Sequence, residues 1–237
     1  DRVLVRAVST SGSRIPFWMG DGIGRAYPIG KRFGAHMRAL EEAMADGISA
    51  PELEKLLPVN AEAARQVHRL LTEQLEAVGC LPHDRRILLE HFTAESGNDC
   101  LMIHSPFGGR VHQAISILLR DSLEQETQRE IQAFHGDSGI LFILIGGGTL
   151  PDRPLERLAS DRLADDLLSI LPATPLFGMV YRYAAARAMM LGLYRGRRQP
   201  LWMQRQRGAS SLELALQHPG HPMLQEAMRE CMTEHMD

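Results

Sequence analysis

The hydrophobic repeat of this chain changes from helical to strand-like near residue 85, and that change limits the folds open to it. Upstream, Phe33, Met37, Leu40 and Met44 recur at helical spacing, and Ala64, Val67, Leu71, Leu75 and Val78 form a second such face. From Arg85 onward the repeat is two. Residues 86–92 (RILLEHF) and 99–104 (DCLMIH) read as strands joined across Glu95-Ser96-Gly97-Asn98. Period two returns at 130–135 and 139–145, on either side of Gly136-Asp137-Ser138-Gly139, after a helix running to about Leu123. Neighbouring strands joined by tight turns pair antiparallel. The expected class is therefore α+β: antiparallel β-hairpins packed with several helices, the C-terminal half mainly helical.

Helices are expected at 29–45, 50–57 and 60–78, the last capped by Asn60 and ended by Gly79. Beyond the hairpins, residues 155–158, 162–170, 179–193, 210–217 and 221–235 read as helical, with 200–206 as a separate segment after a loop. A strand at 2–8, a turn at 9–14 and an extended stretch at 15–18 come first. The domain reading is a strand and linker from a preceding domain at 1–28, then one domain over 29–237. That domain divides into helices 29–78, hairpins and helix 85–145, and a helical part 152–237. The first residue is Asp1, followed by strand-like Val3-Leu4-Val5, and the expectation is a piece cut from a longer polypeptide.

A net charge of −3 excludes a wholesale nucleic-acid coat, but the distribution is uneven. Acids gather at 124–130 and 152–166, whereas residues 181–207 hold seven arginines and no acid. Within that stretch Arg195-Gly196-Arg197-Arg198-Gln199-Pro200 crowds guanidinium groups into a breaker-rich turn. Like charges crowded without counter-ions cost free energy unless an anion compensates, and a polyphosphate backbone beside an aromatic such as Trp202 fits. The competing reading is a solvated basic loop with Trp202 in the core.

Other chemistry is sparse. Gly20-Asp21-Gly22-Ile23-Gly24-Arg25 lacks the Gly-x-Gly-x-x-Gly spacing of a dinucleotide site, and no Walker loop occurs, so the chain alone is not expected to hydrolyse ATP. The turn His104-Ser105-Pro106-Phe107-Gly108-Gly109-Arg110-Val111-His112 reads either as an anion site at a helix start or as a strand-to-helix turn whose histidines bond backbone. His68 is expected at the surface or half-buried. The histidines lack a carboxylate at metal-ligand spacing, Ser105 lacks a nucleophile elbow, and no metal or catalytic residue is assigned. Three cysteines, Cys80, Cys100 and Cys231, make no disulfide framework and imply a reducing compartment, taken as cytoplasmic; no apolar run reaches membrane-spanning length.

Four motifs in order carry a resemblance: Ile15-Pro16-Phe17-Trp18 with Gly20 to Arg25, the Leu101–His112 pattern, Arg197-Arg198-Gln199-Pro200-Leu201-Trp202 with Arg205, and Arg229-Glu230-Cys231. Together they resemble the large helicase-related (Lhr-type) superfamily 2 DNA helicases, in the DEAD/H-associated domain that follows their motor and winged-helix domains. The resemblance implies a parent that translocates 3′ to 5′ on single-stranded DNA, unwinds duplexes and serves DNA repair. ATP and Mg would be held by motor domains outside this chain. It further implies that Trp18 stacks on a nucleobase, a grip indifferent to sequence. Departures are Met19 where a basic residue is expected, Ala184 where relatives carry Asn, and Gln113-Ala114 in place of Pro-Trp.

The resulting expectation is an accessory domain that encloses single-stranded DNA, or a DNA/RNA duplex. Its contacts would be Trp18, Arg187, Arg195, Arg197, Arg198 and Arg205, the arginines chosen from charge crowding. The alternatives are a structural or protein-interaction domain docked on the motor and winged-helix domains with no DNA contact, and a free-standing base-processing enzyme, which the lack of a catalytic constellation disfavours.

Overall fold

The structure, a computed structural model, describes residues 24–158, 161–192 and 199–236. The expected strand at 2–8, the turn at 9–14, the Pro-Phe-Trp segment with Trp18, and Arg195, Arg197 and Arg198 lie outside the described residues.

Three helices lead: α1 (Tyr27–Ala45), α2 (Ala50–Leu56) and α3 (Ala61–Val78). Asn60 caps α3 by accepting the Ala63 N–H at 2.9 Å, and Gly79 ends it in the left-handed region, φ 78°. Their apolar stripes meet in one core of Leu40, Leu53, Leu71 and Leu81. His68 is half-buried, bonded through Nε2 to the Ile48 carbonyl at 2.9 Å.

Next come β1 (Leu88–Thr93), β2 (Asp99–His104), α4 (Gly109–Thr127), β3 (Ile131–Gly136) and β4 (Gly139–Leu144). The two hairpins join in a single antiparallel sheet of order β1-β2-β4-β3, because β4 pairs with β2 as well as with β3. The register sets Leu101 opposite Phe142 and Ile103 opposite Ile140. Alternation puts these side chains on one face, buried against Leu119 and Leu123 of α4.

After a short 3-10 turn (Pro154–Arg157) the chain forms α5 (Leu163–Ile170), a second such turn (Leu171–Ala173), α6 (Pro175–Arg187), α7 (Leu201–Leu216), α8 (Pro222–Glu230) and a π turn (Cys231–His235). Phe177, Val180 and Tyr181 of α6 form the centre of their core, with Leu118 of α4 against it. Leu118 and Leu119 are about 100° apart on α4, so one helix faces the sheet core with one residue and the helical core with the next. That makes α4 the spine of the molecule. Among the described residues, no single helix is long and apolar enough to cross a membrane.

Two expected elements are corrected. The helix expected at 179–193 begins earlier, where Thr174 caps it by accepting the Phe177 N–H at 3.2 Å and Pro175 takes the first position. It ends at Arg187, and Met189 has already turned to φ 59°. The separate segments at 200–206 and 210–217 are one helix, α7, running through Gly208. Glycine is kept there for space: a Cβ would stand 3.0 Å from the Arg182 side chain of α6.

Candidate nucleic-acid interface

The strand-to-helix turn at 104–112 is a joint rather than an open anion site. Asp137, in the turn between β3 and β4, accepts N–H groups from Gly109 at 2.8 Å and from Arg25 at 2.6 Å. A protein carboxylate thus fills the seat at the start of α4 that an anion would take. Burial would raise the Asp137 pKa, but those two N–H groups and the Arg25 charge outweigh it and hold the carboxyl below its ordinary value. The Arg25 guanidinium also donates to the Pro106 and Asp137 carbonyls at 3.2 and 3.3 Å and lies 4.5 Å from the Phe33 ring centre.

Close backbone approach explains the glycines. A Cβ on Gly108, at φ 101°, would lie 2.0 Å from the Arg25 carbonyl oxygen. One on Gly30 would lie 2.5 Å from that of Phe107. Helix α1 is therefore seated directly on the Pro106-Phe107 backbone.

The polar groups of this turn face inward too. Arg110 donates to the Thr233 and Met236 carbonyls at 3.1 and 3.3 Å, tying the last turn of the chain to α4. His112, 1% exposed, bonds the Gly136 carbonyl through Nδ1 at 2.6 Å, while its buried Nε2 has no partner. His104 instead meets the Glu90 carboxylate at 2.8 Å, a side-chain partner and not the backbone one expected.

The basic region behaves differently. Arg187, in the last turn of α6, is ion-paired with Glu230, whose side chain is 8% exposed. That arginine binds a protein acid. In the rest of the closing motif Arg229 pairs with Glu226 at 2.7 Å on the surface, while burial pushes the Cys231 thiol up to about 11. Gln199, buried, donates to the Leu191 and Gly192 carbonyls, so the chain is pinned on both sides of 193–198.

On α7 the apolar and basic side chains turn outward. Trp202 is 63% exposed, so the reading that buried it in the core is corrected. Arg205 and Arg207 are exposed, and neither has an acid partner among the described residues. Trp202, Gln206, Ser210 and Leu214 recur every fourth residue and, with Met203 and Arg207, line a groove of about 530 Å³. Tyr181 fastens α6 to this helix, its hydroxyl bonding the Ser211 carbonyl and hydroxyl at 3.1 and 2.9 Å. Nearby on α6 the Arg182 guanidinium stacks 5.0 Å over the Tyr183 ring. Trp202 was not among the residues assigned to the site; its fourth-residue companions were the available signal, and they were hidden by reading 200–206 and 210–217 apart. Of the assigned arginines, the structure places Arg187 in an internal ion pair and Arg205 on the open α7 surface.

Among the described residues no three His, Cys, Asp or Glu side chains converge as a metal set. Comparison with known proteins agrees with the motif pattern. The family model described as DEAD/H associated matches residues 81–237. The chain is 33% identical over its whole length to the Lhr helicase/probable uracil glycosylase of Mycolicibacterium smegmatis. It is 30% identical, again over its whole length, to the Lhr helicase/uracil glycosylase of Escherichia coli. It spans only 16% and 15% of those two proteins, about one sixth. A structure of Mycobacterium smegmatis helicase Lhr bound to ssDNA and AMP-PNP has a TM-score of 0.80 and 29% identity, covering 96% of this chain and 29% of that one.

Proposed function

The chain belongs to the DEAD/H-associated family and is homologous to one segment of the Lhr helicases, and we propose that it is the part of such a helicase that holds single-stranded DNA against the motor. The observation that carries this reading is the open α7 surface, where Trp202 is exposed, Arg207 lines the same groove and Arg205 follows three positions after Trp202, neither arginine having an acid partner among the described residues. An indole offers a stacking face to any base, and guanidinium groups follow the phosphates, so the grip is independent of sequence and suited to a translocating strand. Trp18, Arg195, Arg197 and Arg198 are proposed as further contacts on the resemblance and on charge. The parent would supply ATP, Mg and 3′-to-5′ movement from its motor domains, and act in cytoplasmic DNA repair.

A second reading, an interdomain scaffold, draws on the Arg187–Glu230 pair, which shows that this arginine-rich stretch also serves internal structure. Fluorescence anisotropy with labelled oligodeoxythymidine separates the two. Wild type should bind at low salt and weaken steeply as salt rises, and Trp202→Ala should lose about fivefold to a hundredfold in affinity, the worth of one stacked base. Undiminished binding by that variant would remove Trp202 from the interface, and no binding at low salt would favour the scaffold.

A further inference from the structure

A separate cavity of about 220 Å³ opens where α4, β3 and α6 meet. Its polar wall is formed by Gln113 and Arg120 of α4, His135 of β3, and Thr174 to Leu176 at the start of α6. Gln113 and Arg120 are seven residues apart, so they share one stripe of α4. The Nε of Arg120 is buried without a partner, and no carboxylate pairs with its guanidinium among the described residues. Arg25 and Arg38 are half-buried too, but Arg25 reaches two carbonyls and Arg38 bonds Asp84 at 2.9 Å; Arg182, whose Nε is likewise unpartnered, stacks over the Tyr183 ring instead. A guanidinium N–H buried without an acceptor costs free energy that a bound anion would offset.

The remaining donors agree. Thr174 already spends its hydroxyl hydrogen on the Leu171 carbonyl, and Pro175 has no N–H. Leu176 lines the cavity, and its N–H is one of those a helix start leaves without an intrahelical partner, at the positive end of the α6 dipole. His135 is exposed at the rim of the cavity, its pKa lowered by partial desolvation and by neighbouring His112, and it can take up a proton when negative charge arrives. Among the described residues no acid lines the cavity. Its volume exceeds the roughly 30 Å³ share of one water several-fold.

The geometry points to a site for a phosphate group, held by the Arg120 guanidinium, the Gln113 amide, His135 and the Leu176 N–H. Donors arriving from three elements suit a tetrahedral anion better than a planar carboxylate. The phosphate can be a free anion or one unit of a nucleic-acid backbone. The site stands apart from the α7 groove: the two share no residue, so either can fail without the other.

The test is a titration of the 237-residue chain with inorganic phosphate, followed by ¹H–¹⁵N NMR at the Leu176 N–H, the Arg120 Nε–H and the His135 ring. All three should shift saturably, and the His135 pKa should rise. Arg120→Gln should weaken binding at least about tenfold, the scale of a charge-assisted contact. Gln113→Ala, a milder change at a half-buried position, should weaken it less and serves if the first variant folds poorly. A short oligodeoxythymidine that moves the same three resonances would place the DNA backbone in the site, whereas shifts on α7 alone would leave free phosphate as its occupant. Shifts absent with phosphate, unchanged in Arg120→Gln, or reproduced equally by acetate would overturn the proposal.

Discussion

Two regions of this molecule carry arginine beside glycine and an aromatic ring, and they use the combination in opposite ways. At the joint between α1, the Pro106-Phe107 turn and the β3–β4 turn, the charge is spent inside. Arg25, Arg110 and Asp137 bond backbone groups, Arg38 takes Asp84, and Arg86 takes Glu41 at 2.6 Å. On α7, Trp202, Arg205 and Arg207 stand in solvent, the arginines with no acid partner among the described residues. Glycines mark the difference: those of the joint, Gly30 and Gly108, are where backbones touch. A glycine-and-arginine motif whose glycines allow contact between elements is architecture. An arginine exposed on a helix with no acid to pair it is free to meet a ligand.

The contrast breaks first at the joint if it is wrong. Gly108→Ala forces a Cβ against the Arg25 carbonyl at an unfavourable φ, and should destabilise the chain by about 3 kcal/mol in urea unfolding. A loss under about 0.5 kcal/mol would mean the contact is slack. Asp137→Ala leaves the Gly109 and Arg25 N–H groups without their acceptor, and should cost about 1–2 kcal/mol.

Acid sharpens the comparison further. Burial lowers the His112 pKa, so the unfolded chain binds a proton that the folded chain resists. The stability due to neutral His112 is present above its ordinary value near about 6.5 and is lost as pH falls below it, by at most about 1.4 kcal/mol per unit for one proton. Asp137, held below its ordinary value, stays ionised through that window and adds nothing there. Urea midpoints should therefore fall from neutral pH to mildly acidic pH, and His112→Gln should flatten the slope, leaving only the His135 share. The smallest effect belongs to α7. Arg205→Gln should leave thermal stability unchanged while reducing the salt slope of single-strand binding by about 0.7, one phosphate contact. A clear stability loss there would mean that Arg205 is structural.

Much of the architecture was legible because hydrophobic period is a local property. The strand at 99–104 and the helices from 29 to 78 follow from spacing, cap and turn residues with little shift of boundary. Asn60, Gly79 and the Gly136-to-Gly139 turn act through their own backbone. The failures share one cause, contact with residues distant in sequence. Residues 200–206 and 210–217 read as separate segments, yet α7 runs through Gly208, where a Cβ would stand 3.0 Å from the Arg182 side chain. The turn at 104–112 reads either as an anion site or as a strand-to-helix turn, and only Asp137, arriving from another turn to supply the negative charge, decides between them.

By itself the sequence determined the order and type of the elements, and the position of an acid-free arginine stretch near the end, because both depend on residues within a few turns of one another. Which arginines keep their charge available was decided only when the chain folded. Glu230 reached Arg187 across 43 positions, no acid among the described residues paired with Arg205 or Arg120, and Trp202 was left outside the core that Tyr181 entered. A guanidinium is a binding group only where the fold fails to bring it a partner, and that failure is a property of three-dimensional distance.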